Sequence, residues 1–250
     1  MTTTPTNVLA SVDLGSNSFR LQVCENNNGQ LKVIDSFKQM VRFAAGLDEH
    51  KNLSEESQER ALDCLAKFGE RLRGFKPEQV RVVATNTFRV AKNIAQFLPK
   101  AEAALGFPIE IIAGREEARL IYTGVVHTLP PNGDKMLVID IGGGSTEIIL
   151  GEGNTPQTLR SLTIGCANMA KRHFPKGKIT KATIKKACDY AGTIIEPHIR
   201  TYLDGEPWQR VVLSSGTAKA IARVLKSDHI SRADLETLLD KLADIGSADK

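Results

Sequence analysis

Two stretches of the chain combine a carboxylate, glycine and small hydroxyl residues in an order suited to phosphate and metal chemistry. They are Ser11–Ser18 (SVDLGSNS) and Val138–Glu147 (VIDIGGGSTE). In each, an apolar run ends in Asp, and the following turn can direct backbone N–H groups at an anion while the Asp binds its metal ion. Asp13 or Asp140 alone could equally be an ordinary turn residue. Because the arrangement occurs twice, the sequence favours two related half-structures that bind one phosphate-containing ligand.

The residues after each turn predict a strand rather than a helix. Polar and apolar residues alternate over Ser18–Val23, which places Arg20 on the same face as Ser18. Residues 145–150 are rich in β-branched side chains, which also favour a strand. A Rossmann or P-loop site would need a helix at this point, so we predict that each motif is the bend of a β-hairpin.

The hairpin prediction sets a geometric condition for the second motif. Along a straight strand, Asp140 and Glu147 would be separated by more than about 20 Å, which is too far for one ion. If the chain folds back at Gly142–Gly144, the two carboxylates can share an ion.

The composition is typical of a globular enzyme. The chain has 250 residues, of which 41% are hydrophobic and 25% charged, enough for one large or two modest domains. It has no apolar run near the ~20 residues of a membrane span, and its first residues do not resemble a signal peptide. Cys24, Cys64, Cys166 and Cys188 lack CxxC spacing, so we expect reduced, mostly buried thiols in a cytoplasmic protein. We assign a packing role to Cys166, although its place after Gly165 could put it near a site.

Periodicity and turn residues predict two successive sets of strands and helices. The first set has strands at 8–13, 18–24, 31–37, 80–85 and 109–112, and helices at 54–72, 88–105 (with a break near Pro99) and 115–128. The second has strands at 136–141, 145–150 and 157–164, and helices beginning at Thr180, at Gly216 and after a capping-box-like Ser231–Asp234. Leu129–Gly133 (LPPNG) is the strongest turn signal, so we predict domains at 1–128 and 129–250.

Five segments together resemble the exopolyphosphatase and guanosine pentaphosphate phosphohydrolase family. They are Asp13–Leu21, Ala84–Arg89, Gly114–Ile121, Asp140–Glu147 and Ser214–Ala218. The resemblance implies the actin-like ATPase and sugar kinase fold: two α/β, ribonuclease-H-like domains with mixed sheets flanked by helices, and an active-site cleft between them. It also implies Mg²⁺-dependent release of a terminal phosphate by water. Members of that family usually continue beyond the last segment, so we expect the second domain to be incomplete at its C-terminus.

The resemblance assigns the role of catalytic base to Glu117, in the first turn of its predicted helix. The neighbouring Glu116 leaves a one-residue ambiguity, and both carboxylates could simply complement the helix dipole. By the same resemblance, Asp140 and Glu147 would hold the metal ion, directly or through water, with Asp13 as a further ligand from the other domain.

Phosphate contacts are expected from both hairpins and from a third segment. Arg20 and the catalytic candidate Arg89 could clamp the phosphate and stabilise transition-state charge, although an isolated Arg is more often a solvated surface residue. Ser215–Thr217 opens a helix, so its N–H groups could bind a phosphate or a base, or form an ordinary N-terminal cap. The expected phosphate-binding residues are Gly15, Ser16, Asn17, Ser18, Arg20, Gly143, Gly144, Ser145, Thr146, Ser215, Gly216 and Thr217.

The sequence determines the substrate least well. Seven Lys and Arg residues and no acidic residue lie between Lys171 and Lys186, a run that could steer a long polyphosphate or form a solvated helix face. We expect inorganic polyphosphate as the substrate, with guanosine pentaphosphate as the alternative. We expect neither DNA nor a membrane as a partner, and a homodimer is a candidate assembly. A non-catalytic sensor of polyphosphate or alarmone would also fit these motifs, as would, with less support, a kinase of the same fold.

Overall fold

The computed structural model describes residues 7–129, 133–204 and 207–247. The chain divides into two compact units, residues 1–113 and 114–250, and each contains a mixed β-sheet with helices. The predicted α/β fold class is therefore confirmed. The division falls before the helix at Gly114–Thr128, whereas Leu129–Gly133 was the predicted boundary. Residues 130–132 of that predicted boundary lie outside the described residues.

The first unit is built on a five-stranded sheet with the order β3-β2-β1-β4-β5. Its elements are β1 (Val8–Leu14), β2 (Ser18–Asn27), β3 (Gln30–Met40), α1 (Glu55–Arg71), β4 (Val80–Ala84), α2 (Asn86–Val90), α3 (Ile94–Leu105) and β5 (Glu110–Ile111). β1 pairs antiparallel with β2 and parallel with β4, so the sheet is mixed. Ser54 caps α1, as predicted, by accepting the Ser57 N–H at 3.3 Å.

Phenylalanine side chains fill much of the core of the first unit. Phe19, Phe43, Phe88 and Phe97 are at most 1% exposed, and their ring centroids lie 5.0–6.3 Å apart in the contacting pairs. Rings at these separations pack favourably beyond the area they bury. Because Phe19 is on β2 and Phe88 is on α2, this core fixes the neighbouring polar residues of both elements.

The second unit has a four-stranded sheet with the order β8-β7-β6-β9. Its elements are α4 (Gly114–Thr128), β6 (Lys135–Ile141), β7 (Thr146–Glu152), β8 (Thr155–Leu162), α5 (Cys166–His173), α6 (Lys181–Leu203), β9 (Arg210–Ser214), α7 (Ser215–Leu225) and α8 (Arg232–Ile245). Ala118 and Tyr122 of α4 are fully buried in one cluster with Val138 of β6 and Ile149 of β7. This packing explains why α4 belongs to the second unit.

None of the helices in the described segments is long and apolar enough to cross a membrane.

Two details of the predicted helices differ from the structure. The helical stretch predicted at 88–105 is interrupted at Ala91–Asn93, between α2 and α3, whereas Pro99 lies inside α3. The interruption has a tertiary cause, because Asn93 Oδ1 accepts the Leu53 N–H and Asn93 Nδ2 donates to the Leu53 carbonyl, each at 2.9 Å. Helix α5 was not predicted.

The prediction of mostly buried cysteines was wrong. Cys64 is buried, and burial raises its pKa to about 11, but Cys24 is half-buried and Cys166 and Cys188 are exposed. The packing role assigned to Cys166 was also wrong. The contact that Cys166 makes with the rest of the fold is through its backbone, whose N–H donates a 2.9 Å hydrogen bond to the Gly142 carbonyl.

Candidate active site

Asp140 and Glu147 are direct cross-strand partners in the β6–β7 hairpin. Such partners point to the same face of a sheet, with Cβ atoms about 4.5–5.5 Å apart. Gly142 closes the bend by donating its N–H to the Ser145 carbonyl at 2.9 Å. The predicted hairpin is therefore confirmed, and its register sets the two carboxylates opposite each other, as the sharing of one ion requires.

The Glu147 carboxylate is buried, with 1% of the residue exposed. Burial and repulsion by the carboxylates of Glu117 and Asp140 together raise its pKa from 4.5 to about 7. Hydrogen bonds from Ser161 and Ser145 act in the opposite direction, and the Ser161 hydroxyl lies 2.7 Å from Glu147 Oε1. Glu147 is therefore a carboxylate whose charged form needs a positive partner.

Asp140 is in a similar environment. It is half-buried at the end of β6, and burial raises its pKa while a hydrogen bond with the Ser214 side chain lowers it. Ser214 is the partner of Asp140 in the parallel β6–β9 pairing. The sheet thus supplies one serine to each carboxylate: Ser214 from β9 for Asp140, and Ser161 from β8 for Glu147.

The two glutamates at the start of α4 have different surroundings. Glu116 forms a two-point ion pair with Arg119 one turn later, at 2.7 and 2.8 Å. Glu117 is half-buried, and its carboxylate is close enough to Glu147 to raise the pKa of that residue. Ala118, next in the chain, is fully buried and fixes the start of α4 on the second sheet. The geometry therefore favours Glu117 over Glu116 as the residue near the carboxylate pair.

The carboxylate pair is a suitable donor set for a magnesium ion. Mg²⁺ usually binds one or two carboxylates and completes its octahedron with waters and substrate phosphates. Asp140 and Glu147 supply two, and a cation between them would offset their repulsion. Within residues 7–129, 133–204 and 207–247, no group of three His, Cys, Asp or Glu is arranged to hold a metal ion. Asp13 lies in the first unit, on β1.

The bend of the second hairpin contains the predicted phosphate-binding residues Gly143, Gly144, Ser145 and Thr146. Ser145 is 3% exposed and its side chain bonds to Glu147. The Thr146 hydroxyl is directed elsewhere, because it donates to the Ile164 carbonyl at 2.7 Å. Backbone N–H groups are therefore the main donors that this bend can offer to an anion.

The first hairpin has the same construction. Asp13 and Arg20 are cross-strand partners of β1 and β2, and both are exposed. Ser16 is buried in the bend, and its hydroxyl accepts a 2.8 Å hydrogen bond from Thr87 on α2. The carbonyls of Ser16 and Asn17 are held by backbone N–H groups of the 42–44 segment at 2.8 Å. Gly15, Ser16, Asn17 and Ser18 are thus brought together in one bend.

The two candidate clamp arginines differ in how they are held. Arg89 is half-buried on α2, and its Nη1 donates to the Ile112 carbonyl at 2.9 Å. Arg20 is exposed on β2, opposite Asp13. The backbone contact makes Arg89 the more firmly positioned of the two.

The third segment is used mainly within the fold. Ser215 Oγ accepts the N–H groups of Thr217 and Ala218, at 3.1 and 3.3 Å, and thereby caps α7. Thr217 Oγ1 donates to the Ile141 carbonyl at 2.7 Å, which ties α7 to the end of β6. The Ser215 hydroxyl therefore satisfies N–H groups in the first turn of α7, although Ser215 itself has a positive φ of 97° and the preceding Ser214 makes no side-chain cap hydrogen bond.

The basic run between Lys171 and Lys186 is solvent-exposed, but several of its charges have partners. Lys185 pairs with Asp189 at 2.6 Å, and Lys181 lies 3.6 Å from Asp240. The Arg172 guanidinium lies over the Tyr190 ring, 4.2 Å from its centroid. Part of the run therefore makes the surface contacts expected of a solvated helix face.

Sequence reasoning did not identify Ser161 or Asn168, and it assigned no role to Ser214, although Ser214 begins the fifth of the resembling segments. Ser161 and Ser214 become recognisable only when strand pairing places them opposite Glu147 and Asp140. Asn168 lies on the unpredicted helix α5, where its Nδ2 donates to the Gly144 carbonyl at 2.9 Å. Its signal in the sequence is weak: a Gly165-x-x-Asn168 spacing, in which Asn168 Oδ1 accepts the Gly165 N–H at 2.7 Å.

Solved structures with a similar fold are known. The chain superposes on the Ppx/GppA enzyme of Aquifex aeolicus with a TM-score of 0.71 and 29% identity, over 89% of this chain and 72% of that one. An exopolyphosphatase from Cytophaga hutchinsonii gives a TM-score of 0.84 over 95% of this chain and 80% of that one. At 24% identity the second structure shows only that the fold is shared. These neighbours define the class as the actin-like, two-domain fold.

The sequence comparisons identify the family. A sequence model of the Ppx/GppA phosphatase family matches residues 22–250, so the chain belongs to that family. A guanosine-5'-triphosphate,3'-diphosphate pyrophosphatase of Aliivibrio fischeri is 43% identical over 216 residues, which are 86% of this chain and 43% of that protein. The chain spans less than half the length of the curated relatives it matches.

Proposed function

We propose that the protein is a Mg²⁺-dependent phosphohydrolase that releases the terminal 5'-phosphate of guanosine pentaphosphate. The observation that carries the proposal is the register of the β6–β7 hairpin, in which Asp140 lies opposite Glu147. The carboxylate of Glu117 is close enough to raise the pKa of Glu147 by repulsion. The names of the similar curated proteins support this substrate over the polyphosphate that the sequence alone favoured. Family membership supports phosphoanhydride hydrolysis as the reaction.

In this proposal, Asp140 and Glu147 hold the Mg²⁺ ion and Glu117 is the general base. When bound, Mg²⁺ would neutralise charge on the phosphate oxygens and so favour nucleophilic attack on the phosphorus atom. Glu117 orients a water molecule and accepts its proton as the water oxygen bonds to the terminal phosphorus. The bond between that phosphorus and the bridging oxygen breaks, which gives orthophosphate and leaves guanosine tetraphosphate. Ser161 and Ser214 keep the two metal-binding carboxylates oriented.

Backbone donors of the glycine turn stabilise the charge that develops on the transferred phosphoryl group. Gly143, Gly144 and Ser145 are candidates because their turn directly joins the two metal-binding strands. Donors fixed before the reaction stabilise a transition state without a reorganisation cost. Arg89 is the stronger candidate for a guanidinium contact, because its position is fixed by the Ile112 carbonyl.

Exopolyphosphatase activity is the second candidate function. The basic run between Lys171 and Lys186 favours it, because an exposed row of positive charge attracts a long polyanion more than a nucleotide. The ion pairs of Lys181 and Lys185 reduce this attraction without removing it, since exposed pairs remain largely hydrated.

The experiment that tests the proposal compares guanosine pentaphosphate, long-chain polyphosphate and ATP as substrates of the purified 250-residue protein. We expect orthophosphate release with Mg²⁺ and none after chelation by EDTA, and we expect the highest kcat/KM with guanosine pentaphosphate. A higher kcat/KM with polyphosphate would favour the second candidate. Binding without release from any substrate would favour a sensor, and transfer of phosphate from ATP to a small acceptor would identify a kinase.

A further inference from the structure

We infer that Asn168, with the first turn of α5, is a positioning residue that aims three backbone N–H groups of the glycine turn at one phosphate group. The inference rests on the proposed function because it concerns the same site. It adds an element to the site, helix α5, that the sequence did not predict.

The first turn of α5 holds two carbonyls of the glycine turn. The Gly142 carbonyl accepts the Cys166 N–H at 2.9 Å, and the Gly143 carbonyl accepts the N–H groups of Ala167 and Asn168 at 2.9 and 3.3 Å. In a trans peptide the C=O of one residue and the N–H of the next point in opposite directions. The N–H groups of Gly143 and Gly144 therefore point away from α5.

The Asn168 side chain extends this arrangement to a third peptide. Its Nδ2 donates to the Gly144 carbonyl at 2.9 Å and to the Thr163 carbonyl at 3.2 Å, while its Oδ1 accepts the Gly165 N–H at 2.7 Å. Reversing the amide would place Oδ1 against two carbonyls, so only this orientation satisfies all three contacts. Because the Gly144 carbonyl is turned toward α5, the Ser145 N–H also points away from it.

These three N–H groups are suited to an acceptor from outside the chain. Within the described residues, the N–H groups of Gly143, Gly144 and Ser145 have no hydrogen-bond acceptor, and Gly144 and Ser145 are buried. A buried N–H without an acceptor costs free energy that a phosphate oxygen would recover. Each peptide is also polarised by the donor on its carbonyl, which strengthens its own N–H as a donor.

Gly165 makes the close approach of α5 possible. A Cβ at this position would lie 2.6 Å from Gly143 C and Gly144 N and 2.7 Å from the Gly142 oxygen. Backbone atoms cannot yield at such distances, so any side chain at residue 165 would displace the turn or the helix. Gly165 and Asn168 thus act together: one permits the contact and the other fixes its orientation.

The test uses an Asn168→Asp variant of the 250-residue protein and inorganic phosphate as the probe, in the presence of Mg²⁺. Aspartate keeps the acceptor for the Gly165 N–H, so α5 retains its cap, but its carboxylate repels the Gly144 and Thr163 carbonyls. The readout is the backbone amide NMR signals of Gly143, Gly144 and Ser145 during the phosphate titration. The matched control is Asn93→Ala, because Asn93 also holds a backbone N–H and C=O but lies on the first unit.

We expect the three amide signals of the wild type to move with phosphate, and the Kd to rise about 10-fold in Asn168→Asp, as for the loss of one hydrogen bond to a charged group. Asn93→Ala should lower the melting temperature and leave the Kd within about twofold. An unchanged Kd in a folded Asn168→Asp variant, or the absence of phosphate-dependent shifts at these amides, would overturn the inference. Phosphate binding without hydrolysis of any substrate would instead overturn the proposed function and leave the positioning role intact.

Discussion

The Ser161 hydroxyl donates a 2.7 Å hydrogen bond to Glu147 Oε1 across the β7–β8 pair, in which the two residues are direct partners. Glu147 consequently has a polar cross-strand partner on each neighbouring strand: Ser161 on β8 and Asp140 on β6. The serine stabilises the ionised carboxylate, whereas burial and two nearby carboxylates oppose its ionisation. A divalent cation at this position would shift the balance to the ionised form.

Removing the Ser161 hydroxyl should weaken metal binding. In Ser161→Ala, the carboxylate of Glu147 loses a donor that fixes its orientation and lowers its pKa. We expect the Mg²⁺ concentration for half-maximal activity to rise about 10- to 100-fold, as for other partners of metal-binding side chains. At saturating Mg²⁺, kcat should approach that of the wild type. Ser36→Ala, which alters an exposed serine on β3, should behave as the wild type.

Glu117→Gln should separate catalysis from binding. Glutamine preserves the size and hydrogen-bonding shape of the side chain but cannot take a proton from water, so kcat should fall by about 10²–10⁴ with KM nearly unchanged. The control is Glu116→Gln, which removes the exposed ion pair with Arg119 and should change kcat less than twofold, as expected for a surface pair worth about 0–1 kcal/mol. If Glu116→Gln lost activity and Glu117→Gln did not, Glu116 would be the base.

The stability of the metal-free protein should depend on the ionisation of Glu147. Its pKa in the folded protein is about 7, above the ordinary value of 4.5. The folded protein therefore holds a proton that the unfolded chain has lost, and the free energy of unfolding should fall as pH rises from 4.5 to 7. A shift of this size corresponds to the order of 3 kcal/mol. Glutamine at position 147 carries no charge, so the free energy of unfolding of Glu147→Gln should not show this fall.

The measurement is chemical denaturation in EDTA at several pH values, for the wild type and Glu147→Gln. The variant should be more stable than the wild type at pH 8 but not at pH 4.5, and Mg²⁺ should stabilise only the wild type appreciably. Parallel pH profiles for the two proteins would mean that the buried Glu147 carboxylate does not oppose folding.

Charge reversal in the basic run should distinguish the two candidate substrates. In a triple variant with Lys181, Lys185 and Lys186 changed to Glu, the salt dependence of polyphosphate binding should become less steep, because fewer counterions are displaced. The Kd for guanosine pentaphosphate should change little. A matched triple reversal at exposed Lys32, Lys67 and Lys100 of the first unit controls for net charge. An unchanged salt dependence in the first variant would identify the run as a solvated face.

The hairpins could be predicted because they depend on residues that are close together in the sequence. The alternation after Ser18 and the β-branched run after Gly144 each require a strand, and a strand that leaves a glycine turn pairs with the one that entered it. The opposition of Asp140 and Glu147 follows from the same local pattern.

Features that depend on tertiary contacts could not be predicted in this way. The break between α2 and α3 depends on a contact of Asn93 with Leu53, forty residues earlier. The place of α4 in the second unit depends on Tyr122 packing in one cluster with strands that follow it in the chain. The choice between Glu116 and Glu117 depends on two contacts: Arg119 pairs with Glu116, and the Glu117 carboxylate lies near Glu147. The spacing of the carboxylates in the sequence does not reveal either contact.

A Mg²⁺ titration of activity tests whether Asp140 and Glu147 bind the metal ion required for phosphate release. Orthophosphate release from guanosine pentaphosphate would be measured against Mg²⁺ concentration for the wild type and Glu147→Gln. We expect the variant to need at least about 10-fold more Mg²⁺ for half-maximal activity and to recover part of its kcat at high Mg²⁺, because a higher Mg²⁺ concentration compensates for the lost ligand by mass action. The same half-saturating Mg²⁺ concentration in both proteins would contradict the metal-binding role of Glu147.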